Sequence, residues 1–242
     1  MRPHEPLPAY YGDETDHQRF LRQIFDETAV DYDRIERILA LGTGPWYRRQ
    51  ALLRAGLGQG MQVLDVGIGT GLLAREALAV IGTQGSVLGI DPSPGMMAQA
   101  RLPGVALLQG RAEAIPCANA SADFVSLGYA LRHVSDVDAA LAEFLRVLRP
   151  GGRVLLLEIT RPATGWGRLA LKAYMRVVVP GIAKLVARRA GSAKLWRYYW
   201  DTIDACIAPT QVLEAMRRAG FADARRHVEL GIFSEYTASK PV

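Results

Sequence analysis

The sequence predicts an open α/β fold, in which a mostly parallel sheet of seven strands carries helices on both faces. Residues 63–66 form a short apolar run, typical of a buried strand, that passes directly into a glycine-rich turn and a helical pattern. Short apolar runs then alternate with helical stretches up to residue 158, which is typical of a parallel sheet. Two further strand patterns, near residues 223–229 and 231–238, complete the seven.

The elements follow in order from apolar spacing and turn residues. Residues 1–13 are expected to form a disordered or draped leader, and residues 15–54 to form helices interrupted near Gly42, Gly44 and Pro45. The predicted strands span residues 63–66, 86–91, 105–109, 122–127 and 153–158. Predicted helices span residues 72–78, 94–101, 135–148, 166–206 (two or three helices) and 209–219, and Ser135 with Asp138 is expected to form a capping box.

One domain of four parts accounts for the 242 residues. We expect a helical N-terminal cap (1–55), a ligand-binding core (56–160), an inserted helical lid (161–208) and a C-terminal helix with two strands (209–242). The chain has only 2 cysteines, a polar start and no run of roughly 20 apolar residues. A cytoplasmic protein is therefore expected, without a disulfide framework, a metal centre or a membrane span.

The glycine-rich turn carries the first indication of function. Asp65 is followed by Gly67, Gly69 and Gly71, so that a ligand can approach the backbone without meeting a Cβ. In a dinucleotide-binding fingerprint, the third glycine would stand at position 72, which is Leu72. No Gly-Lys-Ser/Thr sequence follows, which excludes a nucleoside-triphosphate loop. The alternative is a plain glycine-rich turn between a strand and a helix.

This Asp-x-Gly-x-Gly-x-Gly pattern resembles motif I of the class I S-adenosylmethionine (SAM) methyltransferases, which implies a Rossmann-like fold and SAM as the cofactor. In that reading Asp91 accepts the ribose hydroxyls, Met96 packs on the adenine, and Arg111 with Ala112 lies at the adenine edge. Members of this class often carry Asp or Asn at the position of Arg111, so a side-chain acceptor for the adenine amino group is missing. The cofactor-binding residues that the resemblance implies are Asp65, Gly67, Gly69, Thr70, Gly71, Asp91, Met96, Arg111, Ala112, Gly128 and Tyr32.

Two later stretches narrow the resemblance. Residues 131–134 read Leu-Arg-His-Val, and residues 146–152 read Arg-Val-Leu-Arg-Pro-Gly-Gly. They are similar to the Leu-Arg-Asn-Val and Arg-Val-Leu-Lys-Pro-Gly-Gly sequences of the ubiquinone/menaquinone biosynthesis C-methyltransferases, and the resemblance covers roughly residues 20–240. The chain departs from that family at residues 34–35, which are Arg-Ile where the family has Met-Asn, and at His133, where it has Asn.

The narrower resemblance implies methyl transfer from SAM to a carbon of a quinone-type or phenolic ring. Arg132 is predicted to stabilise a phenolate and to orient a water that accepts the proton. His133 is predicted to be the base itself, the alternative being that it only packs or caps at the strand end. Two other functions stay open: O- or N-methylation of a small aromatic metabolite, and a non-catalytic SAM-fold binding or assembly protein, against which the intact glycine run and Asp91 argue.

Residues 161–200 contain 9 basic residues and no Asp or Glu, with apolar residues at helical spacing among them. We expect this segment to be a lid over the substrate pocket that also makes peripheral contact with the inner face of the membrane. Nucleic acid is a disfavoured partner, because no reading motif is present; no pattern indicates an oligomeric state. The basic residues are Arg161, Arg168, Lys172, Arg176, Lys184, Arg188, Arg189, Lys194 and Arg197.

Overall fold

The computed structural model describes residues 1–40, 42–186 and 192–242. The strands are β1 Gln62–Val66, β2 Ser86–Asp91, β3 Ala106–Gln109, β4 Ala122–Gly128, β5 Leu148–Ile159, β6 Ala222–Glu229 and β7 Phe233–Ser239. They form one 7-stranded sheet in the order β3-β2-β1-β4-β5-β7-β6. The first five strands pair in parallel, and β7 is antiparallel to both β5 and β6. The predicted α/β fold with a mostly parallel sheet is confirmed.

Helices cover both faces of this sheet. They are α1 Glu14–Leu39, α2 Gly44–Arg54, α3 Leu72–Ile81, α4 Pro94–Met97, α5 Val137–Val147, α6 Gly165–Ala173, α7 Val179–Val186, α8 Ser192–Ala205 and α9 Pro209–Arg218. Alternate residues of a strand face opposite sides, so Leu64 and Val66 of β1 pack in one layer with α5 and α9, whereas Val63 packs with α2 and α3. Among the described residues, no helix is both long and apolar enough to cross a membrane.

A third apolar cluster joins the N-terminal helix to the segment inserted after β5. Ile24 and Ile35 of α1 pack there with Trp196 and Trp200 of α8, and Ile159, the last residue of β5, packs against the same cluster. The helical layer therefore adjoins the carboxyl end of β5. At this edge of a parallel sheet, open α/β proteins bind their ligands.

Three predicted element bounds are wrong. The helix predicted over residues 94–101 ends at Met97, because the chain then turns and places Leu102 against Gly71, where a Cβ would lie 2.6 Å from the leucine Cδ1. α5 is capped not by Ser135 but by Asp136, whose carboxylate accepts hydrogen bonds from the next turn. β5 begins at Leu148 rather than 153, because the strand bulges through residues 149–152 and resumes its pairing at 153.

The first thirteen residues are draped over the protein. The backbone oxygens of Met1 and Pro3 accept hydrogen bonds from Val137 and Ile207, at 2.8 Å each. His4 and Tyr11 are buried. Of the two alternatives expected for this leader, the structure therefore supports the ordered one.

Candidate active site

A deep cleft opens at the carboxyl edge of the sheet, where β1, β2 and β4 end. Counted out to the surrounding solvent, the open cleft has a volume of about 1290 Å³. Eleven of the predicted site residues line it: Asp65, Gly67, Gly69, Thr70, Asp91, Met96, Arg111, Ala112, Gly128, Tyr32 and His133. Gly71 and Arg132 do not line this cleft.

The glycine loop after β1 forms the floor of the cleft. Gly67, Gly69 and Gly71 have φ angles of 66°, 56° and 83°, which favour glycine because a Cβ would be strained there. A Cβ on Gly69 would also lie 3.3 Å from the Cε of Met96, so these two residues are in close contact. Gly71 does not line the cleft. Its lack of a Cβ leaves room for Leu102 to pack at the start of α3.

Two buried carboxylates face the cleft. Each oxygen of Asp91 accepts a backbone hydrogen bond of 2.8 Å, one from Ser93 and one from Gly69, and burial nevertheless raises the pKa of this carboxyl to about 6. Asp65 accepts a 2.6 Å bond from Ser126, and burial raises its pKa to about 7. The second oxygen of Asp65, Oδ2, has no partner among the described residues. Both groups are therefore suited to a ligand that brings positive charge or hydroxyl donors.

Helix α1 is fastened across the cleft by its acidic residues. Asp33 accepts a hydrogen bond from the hydroxyl of Thr70 in the glycine loop. Asp26 accepts a 2.8 Å bond from the backbone N–H of Gly95, at the start of α4. Because these bonds reach the loops after both β1 and β2, they fix the cap helix against the predicted cofactor-binding edge.

The loop after β3 is held by side chains that cross the site. Arg111 donates a 2.7 Å hydrogen bond to the hydroxyl of Ser135. Glu113 accepts from the backbone N–H groups of Ser135 and Asp136, which ties the loop after β3 to the loop before α5. Arg111 therefore contributes to this connection as well as to the cleft wall. Ala112, between Arg111 and Glu113 in the sequence, is buried.

The far end of the cleft is aromatic. The His133 ring stacks on Tyr198 with centroids 5.5 Å apart and meets the edge of Phe25 at 5.4 Å. Burial, with the charge of Arg132 adding to it, lowers the pKa of His133 well below its ordinary value. The imidazole is therefore neutral near pH 7. Nδ1 lies 3.4 Å from the hydroxyl of Tyr198, and the covered Nε2 has no hydrogen-bond partner among the described residues. In the tautomer that carries its hydrogen on Nδ1, Nε2 can accept a proton.

Arg132 lies behind this aromatic wall. Its guanidinium pairs with Glu158, donates a 2.8 Å bond to the backbone oxygen of Tyr129, and lies 4.4 Å from the ring centre of Tyr199. Tyr199 lines the cleft and shares a 3.0 Å hydroxyl–hydroxyl bond with Tyr32 of α1. The Tyr199 ring therefore separates Arg132 from the cleft.

The comparisons with known proteins decide the family. A model of the ubiE/COQ5 methyltransferase family matches residues 13–240. The chain belongs to this family. It is a SAM-dependent methyltransferase.

Relatives of this methyltransferase carry quinone names. A demethylmenaquinone methyltransferase from Deinococcus radiodurans is 32% identical, and the alignment covers 95% of this chain and 96% of the relative. A 2-phytyl-1,4-naphtoquinone methyltransferase from Thermosynechococcus vestitus is also 32% identical, with 87% and 94% covered. The chain is similar to both proteins over most of its length.

Solved structures support the fold alone. A SAM-dependent methyltransferase from Aquifex aeolicus superposes with a TM-score of 0.62 at 19% identity, covering 86% of this chain and 97% of that one. One from Thermotoga maritima gives a TM-score of 0.64 at 22% identity, with 91% and 99% covered.

Sequence reasoning missed several groups that build the methyltransferase cleft. Arg48 of α2 and Tyr199 of α8 line it, and Glu158 neutralises Arg132. A basic residue on a helix is usually solvated, and the available signal for Arg48 was that Trp46 with Arg48 resembles the N-terminal signature of the C-methyltransferase family. The described residues include no group of three or more His, Cys, Asp and Glu side chains placed to hold a metal ion.

Proposed function

We propose that this methyltransferase methylates a ring carbon of a quinone-type acceptor in its reduced, quinol form. The observation that carries the proposal is His133, which lines the aromatic end of the cleft and whose Nε2 has no hydrogen-bond partner among the described residues. Phe25, Tyr32 and Tyr199 line the same end and offer ring faces to a flat acceptor. The names of the relatives, which act on demethylmenaquinone and on a phytyl naphthoquinone, support this acceptor class.

The residues around the glycine loop fit SAM. Each oxygen of Asp91 accepts one backbone N–H, and a carboxylate has about four acceptor positions, so that room remains for the ribose hydroxyls. Met96 offers an apolar surface to the adenine, beside the backbone N–H of Ala112. When bound, SAM supplies a methyl group on a positively charged sulfur, which retains the bonding electron pair after transfer.

The protein's own contribution is alignment, exclusion of water and removal of one proton. The aromatic end and the glycine loop hold the two reactants in one cleft, which raises their effective concentration and fixes the line of attack. The ring carbon that gains the methyl group must lose its proton. His133 takes that proton at Nε2, while Arg132, already paired with Glu158, lies behind the Tyr199 ring that lines the cleft.

We further propose that the inserted segment contacts a membrane surface, where long-chain quinones are dissolved. The exposed fractions of Trp166, Leu169, Val177 and Leu185 are 83%, 57%, 68% and 86%. Arg168 and Arg176 pair with Asp204 and Asp201, so the acidic residues just beyond the segment offset part of its positive charge. Arg188 and Arg189 lie outside the described residues. An exposed apolar face with basic neighbours is the pattern of a helix that lies in the interface of an anionic bilayer.

A panel of acceptors tests the proposed reaction. Purified enzyme is incubated with isotope-labelled SAM and either a reduced naphthoquinol lacking the ring methyl, a benzoquinol, a catechol or an aromatic amine. We expect label to enter a quinol by a single methyl addition, and the corresponding oxidised quinone to stay unlabelled, because only the quinol ring is electron-rich. Label in the catechol or the amine alone would contradict the proposal and favour O- or N-methylation.

A further inference from the structure

Two buried residues of opposite charge line the cleft, and each has a covered side-chain atom without a hydrogen-bond partner among the described residues. These atoms are Oδ2 of Asp65 and Nη1 of Arg48. The exposed fraction of Arg48 is only 5%, and its other terminal nitrogen, Nη2, donates to Glu36 at 2.5 Å. A buried polar group left without a partner costs roughly 1–3 kcal/mol, and more when it is charged. A ligand that supplied an anionic oxygen to Nη1 would remove that cost.

Arg48 lies at the cofactor end of the cleft. Its partner Glu36 lies one helical turn after Asp33, which binds Thr70 of the glycine loop. The same turns of α1 therefore hold the guanidinium and contact the predicted SAM loop. The local fold also leaves space for the group, since a Cβ on Gly44 would come within 2.7 Å of Nη1.

We propose that Arg48 binds the α-carboxylate of the methionyl group of SAM, opposite an ammonium that faces Asp65. This assignment rests on the proposed cofactor. The planar guanidinium of arginine fits a carboxylate better than it fits any neutral group, and hydrogen bonds between two charged groups are among the strong ones. A phosphate would also suit Arg48, but it would be repelled by Asp65; an amino-acid zwitterion satisfies both groups. Arg48 is therefore a cofactor-binding residue, and its pair with Glu36 holds it in place.

The test compares two ligands that differ only in the carboxylate. S-adenosylhomocysteine carries it, whereas its decarboxylated analogue, S-adenosyl-3-thiopropylamine, retains the adenosine and the ammonium. Calorimetry should show that Arg48→Gln raises the Kd for S-adenosylhomocysteine roughly 10- to 100-fold, which is the scale of one charge-assisted hydrogen bond. The same variant should bind the decarboxylated analogue with nearly the wild-type Kd. Arg48→Lys keeps the positive charge but loses the planar guanidinium. Its Kd for S-adenosylhomocysteine should therefore lie between those of the wild type and Arg48→Gln.

The neighbouring arginine provides a matched control. Arg49 pairs with Glu76, its side chain is 50% exposed, and it does not line the cleft. Arg49→Gln should therefore leave both Kd values unchanged. Circular dichroism melts of each variant report whether the fold is kept, and binding of the decarboxylated analogue is an internal check of the same point.

Three outcomes would overturn the assignment. Equal weakening of both ligands in Arg48→Gln would mean that the residue only supports the fold of the cap. Unchanged affinity for both, with a raised KM for the quinol, would place Arg48 on the acceptor instead. If the wild type bound neither ligand, the proposal that SAM is the cofactor would itself be wrong. That outcome is distinct from one in which only the role of Arg48 is wrong.

Discussion

Arg132 and Glu158 form an ion pair in the interior of the protein, where 2% of each side chain is exposed. Glu158 also accepts a 3.3 Å hydrogen bond from the backbone N–H of Arg132. Burial raises the pKa of Glu158, and the charge of Arg132 opposes that shift. Arg132, which the sequence predicts at the reacting centre, therefore already has a carboxylate partner. It lies behind Tyr199 and does not line the cleft.

Removing either partner should destabilise the fold strongly. A buried charge whose partner is removed typically costs about 3–5 kcal/mol, so Glu158→Gln and Arg132→Gln should each lower the free energy of unfolding by about that amount. Denaturant titration followed by circular dichroism measures it. The double variant should recover part of the loss, since no charge is left unpaired. Single variants within about 0.5 kcal/mol of the wild type would contradict the coupling.

Asp91 should contribute directly to cofactor binding. Asp91→Ala removes the acceptor for two ribose hydroxyls, and the loss of hydrogen bonds to a charged group should weaken SAM binding by about 2–3 kcal/mol. Isothermal calorimetry measures the change. The control is Asp123→Ala, whose carboxylate caps Gln62 at the opposite edge of the sheet and should leave SAM binding unchanged. A wild-type Kd in Asp91→Ala would remove the residue from the site.

SAM binding should release protons near neutral pH. Burial holds the pKa of Asp65 at about 7 and that of Asp91 at about 6, so each is partly protonated between pH 6 and 7. A ligand bringing an ammonium and hydroxyl donors favours the ionised carboxylates, lowers both pKa values and expels protons. The apparent binding enthalpy should then depend on the ionisation enthalpy of the buffer at pH 6.5, but not at pH 8.5. Buffer-independent enthalpies at both pH values would show that these carboxylates are not coupled to the ligand.

The same two carboxylates should also make stability depend on pH. Their native pKa values lie above the ordinary value of 3.8, so the folded protein binds more protons than the unfolded chain between pH 3.8 and about 7. Their contribution to stability is complete below pH 3.8 and is lost as the pH rises through 6 to 7. The unfolding free energy of the wild type, measured relative to that of Asp65→Asn, should therefore rise as the solution is acidified. A difference that is constant from pH 5 to pH 8 would contradict the raised pKa of Asp65.

His133 should determine the acidic limb of the pH–rate profile. Its pKa is lowered well below 6.5 by burial and then by Arg132, so the base stays neutral and kcat should hold down to a pH below 6.5. His133→Ala should lower kcat by roughly 10²- to 10⁴-fold, the usual contribution of a general base, and should abolish that limb. SAM affinity serves as the control and should be kept. An intact acidic limb in His133→Ala would leave a water, or an acceptor already ionised, as the base.

The exposed face of the inserted segment should bind anionic vesicles. Trp166→Ser and Leu185→Ser each remove a large exposed apolar side chain and should reduce co-sedimentation with liposomes that contain anionic lipid. Binding should also fall as salt is raised, because the electrostatic part is screened. Trp46→Ser, on α2 and 64% exposed, is the matched control and should have no effect. Equal binding to neutral and anionic vesicles would contradict the electrostatic part of the proposal.

Patterns local in sequence predicted most of the fold and the cofactor end of the cleft. The glycine spacing after Asp65 and the alternation of strands and helices are encoded within a few residues, and the structure contains both. Pairings between distant residues had no such local signal. Glu158 lies 26 residues from Arg132, and Glu113 caps a loop 22 residues away, so only the assembled sheet brings these partners together. For the same reason, the burial of Arg48 could not be predicted from its helix.

The position of the transferred methyl group distinguishes ring methylation from the alternatives. Enzyme is incubated with SAM carrying a ¹³C-labelled methyl group and with a reduced naphthoquinol that lacks the ring methyl, and the product is analysed by two-dimensional NMR. We expect a labelled methyl bonded to the ring carbon next to the hydroxyl-bearing carbon, with both hydroxyl groups unmodified. A labelled methyl bonded to oxygen, or transfer to a non-quinol acceptor while the naphthoquinol stays unlabelled, would contradict it.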